Sequence, residues 1–423
     1  MRTKEIKAIA LMLMLPLLVL TACSSSSDSS DVVVPEPDKP VVQQHPIGFS
    51  GIFADSEGGA TSAPATRGVG DGEFTNTELQ ASGFGVYCWY TGGNTYVKGN
   101  HIKDVTSEIL MLNQKVEYKD SKWTYAPSKY WPLNNQEMLT FRAYAPYVSY
   151  QLQTDDDGLP LLPVVVKATD YHDGTQHDPL WGTGRLVDPS TDEYAVETTY
   201  GELYDNIKYE MSGDNRLKAT VPADTRNGVI DWYFHHGMAK LMFVCSVIAN
   251  PGCDKVTIRS IKIEGLYTQG LLSLSSPTAT KDEKPEWTEC DGNMTVTLSE
   301  ATPNTDAGDL APTPGAADPY PFVITTNPSQ ATALVDLLEH GLLIIPRNFS
   351  SEGLKVTVTY SIDDDPTRLE AKGTIKQDFQ GNTSYMMRLS LTPSTKGLEI
   401  TLVQSAFTPW HEAGTGDQEV YNW

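Results

Sequence analysis

The chain has 423 residues, with 54 acidic side chains against 31 basic ones and a formal net charge of −23. Negative charge on that scale repels phosphate backbones and anionic bilayer surfaces, so nucleic acid is excluded as a direct partner. Its five cysteines include no Cys-x-x-Cys pair, which excludes a zinc ribbon or a thioredoxin-like redox site.

The first residues point to export. Arg2, Lys4 and Lys7 precede an almost unbroken apolar run, Ala8 to Ala22, too short for a bilayer-spanning helix and shaped like a signal peptide. It ends in Leu20-Thr21-Ala22-Cys23, which looks like a lipobox. Residues 1–22 are therefore read as the removed signal and Cys23 as the lipid-bearing first residue of the mature chain. Ser24 at the next position is similar to lipoproteins sorted to the outer membrane. Residues 23–46, rich in Ser and Asp and then in Pro, have little to bury and are read as a disordered tether.

Beyond the tether the pattern is mostly strand. Ile47 to Phe53 alternates and places Ile47, Phe49 and Phe53 on one face. A loop of small residues, 54–70, follows and contains Arg67-Gly68. Period-two runs recur at Phe84–Tyr90, Leu139–Ala145, Lys240–Val247, Val256–Ile263 and Leu354–Tyr360, each bounded by Gly, Pro, Asn or Asp. Cys88 and Cys245 sit inside such runs and read as buried thiols rather than disulfide partners. Helix is scarce, and its best candidate is Ala331 to Glu339, between Ser329 and Gly341. A domain boundary is placed near Asn227-Gly228, giving domains at 47–228 and 229–423, with the Pro-rich segment 301–321 as a surface excursion. Leu398, Ile400 and Leu402 lie on one face of a final apolar strand, in a segment 398–410.

Catalytic motifs are absent: the sequence contains no G-x-S-x-G, H-E-x-x-H, P-loop or G-x-G-x-x-G. No cofactor is expected. His235-His236 lies at a strand start, where neighbours point to opposite faces and cannot share a metal. Asp155-Asp156-Asp157-Gly158 and Asp363-Asp364-Asp365-Pro366 lack the spacing of a calcium loop and read as solvated turns. Asp170, His172, Asp173, His177 and Asp178 form the one cluster with ligand chemistry, and a polar loop is its plainer reading. Trp123, Tyr125, Tyr130 and Trp131 have the density of a sugar-stacking platform, but their alternation suits core or edge packing better.

Several segments together resemble the fimbrillin family, the type V pilins of the Bacteroidota. Trp123-Thr124-Tyr125 through Trp131-Pro132 and Leu139 to Pro146 look like the family's Trp-Tyr strand and its "F-x-A-Y-x-P" strand. Phe234-His235-His236-Gly237-Met238-Ala239-Lys240-Leu241 is similar to the "F-x-H-x-x-A-K-L" entry into the C-terminal domain. Ile261–Gly270, Leu343-Ile344-Ile345-Pro346 and Phe379–Tyr385 also fit. The resemblance implies an all-β chain of two tandem transthyretin-like antiparallel β-sandwich domains. It also implies a non-enzymatic fimbrial subunit, stalk or tip, supporting adhesion.

The implied pathway is specific. A lipoprotein precursor is carried to the outer membrane and cut by an arginine-specific protease. The tether and first strand are lost, and the open groove accepts a strand from another pilus subunit in a homo- or heteropolymer. On this sequence the cut falls between Arg67 and Gly68, with Arg185 as runner-up. Ile47, Phe49 and Phe53 belong to the displaced strand, and Leu398, Ile400 and Leu402 to the donor. The alternative is a monomeric lipid-anchored lipoprotein that binds glycan or another surface ligand and keeps residues 23–67.

Overall fold

The computed structural model describes residues 46–53, 76–183 apart from 98, 135 and 174–175, and 205–211 apart from 209. It further describes 217–218, 229–247, 253–275, 285–299, 322–325, 335–336, and 341–407 apart from 364 and 393–395. Among these residues strands dominate, in several largely antiparallel sheets arranged as β-sandwich layers. Each alternating run singled out in the sequence is a strand: Phe84–Gly92, Met138–Ala145, Ala239–Val247, Lys255–Leu266 and Leu354–Ile362. No helix of the described residues is long and apolar enough to cross a membrane.

The first sheet has eight strands. Along its path the order is Gly48–Phe53, Val229–His236, Leu180–Thr183, Met138–Ala145, Phe84–Gly92, Glu108–Lys119 and Lys122–Thr124, with Ile207–Lys208 pairing alongside Met138–Ala145. Phe84–Gly92 is central, so both of its faces are covered. Phe84, Val86 and Cys88 enter one core with Phe141, Trp232 and Phe234. Tyr87 and Trp89 enter another, with Tyr144, Trp181, Leu162 and Leu272. Aromatic residues supply the large buried area that a strand with two covered faces requires.

That second core lies against a four-stranded sheet ordered Trp287–Asp291, Gln269–Ser273, Pro160–Val165 and Gln153–Thr154. Two of its strands come from each half of the sequence. They join where Gln269–Ser273 pairs antiparallel with Pro160–Val165, Leu272 opposite Leu162. The third layer is a ten-stranded sheet. It is built around Ala239–Val247, Lys255–Leu266, Leu354–Ile362, Leu369–Ile375, Thr383–Thr392 and Gly397–Phe407, over a core that includes Phe243, Ile258, Ile261, Val358 and Leu389.

Two sequence expectations change. The boundary at 227–228 assigns the strand Val229–His236 to the second domain. Hydrogen bonding places it instead in the first sheet, antiparallel to Leu180–Thr183 and parallel to Gly48–Phe53. The change of sheet falls at Gly237-Met238, because the next strand, Ala239–Val247, pairs with Thr383–Thr392. Gly237 suits this passage: a Cβ there would lie 2.4 Å from the Pro179 carbonyl oxygen. Second, the helix expected at 331–339 is contradicted where the segment is described. Val335–Asp336 is a strand paired with Val244 and Cys245, so a sheet edge overrides local helix propensity.

Candidate functional site

The first strand occupies a seat at the end of the first sheet. Gly48–Phe53 runs parallel to Val229–His236 in the register Gly48 to Val229 through Phe53 to Phe234. On the opposite side the chain does not form a full strand. Instead the Ile47 amide donates to the Lys129 carbonyl at 2.8 Å, and Pro46 forms an isolated antiparallel bridge with Tyr130. The Tyr125 hydroxyl donates to the Ile47 carbonyl at 2.8 Å. Burial of that phenol pushes its pKa up to about 12, so it remains a donor at physiological pH.

Alternation sends Ile47 and Phe49 into the core, at 2% and 6% exposure. Phe49 lies among three rings, with centroids 5.3 Å from Tyr125, 6.3 Å from Phe141 and 6.5 Å from Phe84. Burying side chains of this size stabilises by about 1.5–3 kcal/mol each. Gly51 follows on the same face, where the wall comes closest. A Cβ at Gly51 would sit 2.9 Å from Phe84 Cε1 and 3.3 Å from Phe234 Cε2. Phe84 cannot swing away freely, since it is wholly buried and packed on Trp123 and Phe234 at 4.8 and 5.2 Å. The alternation of 47–53 marks the strand in the sequence. Sequence reasoning misses Gly51, the Tyr125 hydroxyl and the Lys129 carbonyl as parts of the seat, and only the glycine inside an apolar alternation signals a close approach.

The other expected site residues are dispersed. Cys23, Arg67, Gly68 and Arg185 lie outside the described residues. Leu398, Ile400 and Leu402 are on Gly397–Phe407, which is a strand of the chain's own ten-stranded sheet. They stand opposite Leu391, Leu389 and Met387 of Thr383–Thr392. Residues 408–410 of the expected donor segment lie outside the described residues.

The aromatic cluster is mostly packing. Trp131 is 3% exposed, Trp123 lies on Phe84 and Tyr125 lies on Phe49, whereas Tyr130 is 45% exposed. The Asp/His cluster is pulled apart. Asp178 is buried, pairs with Nδ1 of His236 and accepts from the Met238 amide at 2.9 Å. Burial raises the Asp178 pKa, while His236 opposes that rise. Asp170 instead accepts from the Lys167 amide at 2.8 Å, and His177 is exposed. Among the described residues no group of three or more His, Cys, Asp or Glu is placed to hold a metal ion. Cys88, Cys245 and Cys253 are buried thiols and Cys290 is half-buried, and none of the four is in a disulfide.

A shallow cavity of about 410 Å³ lies between the four-stranded sheet and the short antiparallel pair Arg347–Asn348 and Asp378–Phe379, lined in part by Tyr267, Trp287, Arg347, Asp378 and Gln380. Several of its polar groups are engaged with one another or with backbone. Gln380 donates to Asp378 at 2.5 Å, and Arg347 donates to the Gly265 carbonyl at 2.5 Å and covers the Tyr267 ring at 4.4 Å. No nucleophile with its base converges there.

Residues 66–410 match the family model for fimbrillin-like proteins. The chain belongs to this family and is a fimbrial structural subunit. Among curated proteins none matches the sequence. The chain is similar to the crystal structure of a fimbrial protein from Bacteroides vulgatus, at 15% identity and a TM-score of 0.43, covering 86% of this chain and 99% of that one. It is also similar to a protein described as a cell adhesion protein from Bacteroides ovatus, at 11% identity and a TM-score of 0.40, covering 88% and 100%. Likenesses this loose carry no residue-level argument, and family membership rests on the sequence match.

Proposed function

We propose that this subunit is exported as a lipoprotein acylated at Cys23, carried to the outer membrane, and cut after Arg67 by an arginine-specific protease. The cut releases residues 23–67, including the first strand. The vacated seat then accepts a strand from another subunit, building a surface fimbria that supports adhesion.

The observation that carries this reading is the seat itself. Ile47 and Phe49 fill a core at the end of a sheet, and their strand is continuous with the segment 54–70 that holds Arg67. Losing that strand uncovers Phe84, Phe141 and Phe234 together with the unpaired edge of Val229–Phe234, and exposed apolar edges drive strand addition. The donor is assigned to the C-terminal segment 398–410. Because Gly397–Phe407 is hydrogen-bonded within its own sheet, donation by Leu398, Ile400 and Leu402 requires that strand to leave Thr383–Thr392. The tandem domains are kept, with the boundary moved to Gly237-Met238. A monomeric glycan-binding lipoprotein is less well supported, since Trp131 is buried and Trp123 and Tyr125 pack on Phe84 and Phe49.

The test is the N-terminal residue and assembly state of protein taken from its native cell surface. The expected result is Gly68 and ladders that survive mild detergent, with Arg67→Ala accumulating as the uncut precursor. A monomer beginning at acylated Cys23 overturns the reading.

A further inference from the structure

We infer that the seat of the first strand selects its occupant by a missing side chain. It takes a strand with large apolar residues at two alternate positions and glycine at the third, the pattern of Ile47, Phe49 and Gly51. This inference rests on the proposed strand exchange and specifies the partner's chemistry.

The argument is steric. The pockets under Ile47 and Phe49 are wide enough for large side chains, which are 2% and 6% exposed there. At Gly51 the wall closes: even a methyl group would meet Phe84 at 2.9 Å and Phe234 at 3.3 Å. Those rings are fully buried and hold each other at 5.2 Å, with Trp123 behind Phe84 at 4.8 Å. A larger residue at this place therefore has to displace three packed aromatic groups, which is the costly kind of overpacking. A second condition is polar. The first large residue donates its amide to the Lys129 carbonyl and accepts from the Tyr125 hydroxyl, so proline does not fit there in the same strand direction.

The chain's own last strand fails the steric condition when its apolar face is laid on the resident strand's positions. Running as the first strand does, with Leu398 and Ile400 in the places of Ile47 and Phe49, it sets Leu402 against Phe84. In that register the seat is matched to a strand of other sequence, carried by a different subunit, and Leu398, Ile400 and Leu402 serve the groove of another kind of subunit.

The test uses the full chain with a site for a sequence-specific protease introduced within 54–70, so that it does not depend on cleavage at Arg67. After cutting, fluorescent peptides compete with the resident strand: the 47–53 sequence, the same peptide with Gly51→Ala or Gly51→Val, and the 397–407 sequence. The expected result is entry of the 47–53 peptide, with the Gly51→Val and 397–407 peptides about tenfold or more weaker. Phe84→Leu in the protein should narrow the gap between the native peptide and its Gly51→Val variant. Binding of the Gly51→Val peptide within about twofold of the native one overturns the glycine rule while leaving strand exchange standing. Failure of every peptide, the native one included, overturns strand exchange and this inference with it.

Discussion

Phe49→Ala isolates how much of the first sheet's stability depends on the strand that is to be lost. Phe49 is 6% exposed and touches the rings of Tyr125, Phe141 and Phe84. Truncating a phenylalanine in such a site costs about 3–5 kcal/mol, from lost transfer energy plus the cavity left behind. The low end applies here, because the strand is at the end of a sheet and Tyr125, at the rim, can settle into the gap. We expect a loss of about 3 kcal/mol in urea unfolding of the uncut chain, followed by tryptophan fluorescence from the buried Trp232 and Trp181. Leu133→Ala, at a residue 62% exposed, is the control and should change stability by less than about 0.5 kcal/mol. A Phe49→Ala loss below about 1 kcal/mol would refute the docked strand, since no packed aromatic of this burial is that inexpensive to remove.

Other outcomes follow from the same geometry. Gly237→Ala should destabilise the chain by about 1–3 kcal/mol in the same assay, because its Cβ would run into the Pro179 carbonyl at the point where the chain changes sheet. Asp178→Ala should cost about 3–5 kcal/mol, since it deprives the buried His236 ring and the Met238 amide of this acceptor. Burial raises the Cys245 thiol from 9.0 to about 12, and a raised pKa in the folded state means that this thiol's contribution to stability is intact below pH 9 and is lost as pH climbs toward 12. Cys245's share of that fall, on the order of 4 kcal/mol at its full extent, should be missing from Cys245→Ala when the two proteins are compared by urea titration at successive pH values, while the share due to other buried groups such as Tyr125 and Cys88 remains. In the native protein a thiol reagent at about pH 8 should modify Cys290 before Cys88 or Cys245, as read by peptide mass mapping.

How far the sequence reveals all this differs between elements. Strands covered on one or both faces are legible, because Phe84–Gly92 and Met138–Ala145 carry their alternation and aromatic content on the surface of the sequence. The first strand is legible for the same reason, although its partner is not: pairing with Val229–His236 spans the whole first half of the chain, and nothing local encodes it. The place where the chain changes sheet has a physical cause. The polar stretch before Val229 resembles a linker, but the chain passes from one sheet to the next at Gly237, where contact with Pro179 rather than composition decides. Val335–Asp336 follows its neighbour Ala239–Val247 instead of its own helical propensity. The Asp/His cluster looks like one site because its members are close in sequence. Folding turns Asp178 inward to His236 and the Met238 amide, and leaves His177 at the surface. The restriction at Gly51 becomes visible only when Phe84 and Phe234 are seen closing over it.

The four-stranded sheet has a mechanical consequence. Its inner pair, Pro160–Val165 against Gln269–Ser273, ties a strand from the first half of the chain to one from the second through a five-residue register. In a fibre pulled lengthwise, load enters such a subunit at one joint and leaves at the other. A tie bonded across both halves shares that load over backbone hydrogen bonds acting together, instead of concentrating it on the single covalent passage at Gly237.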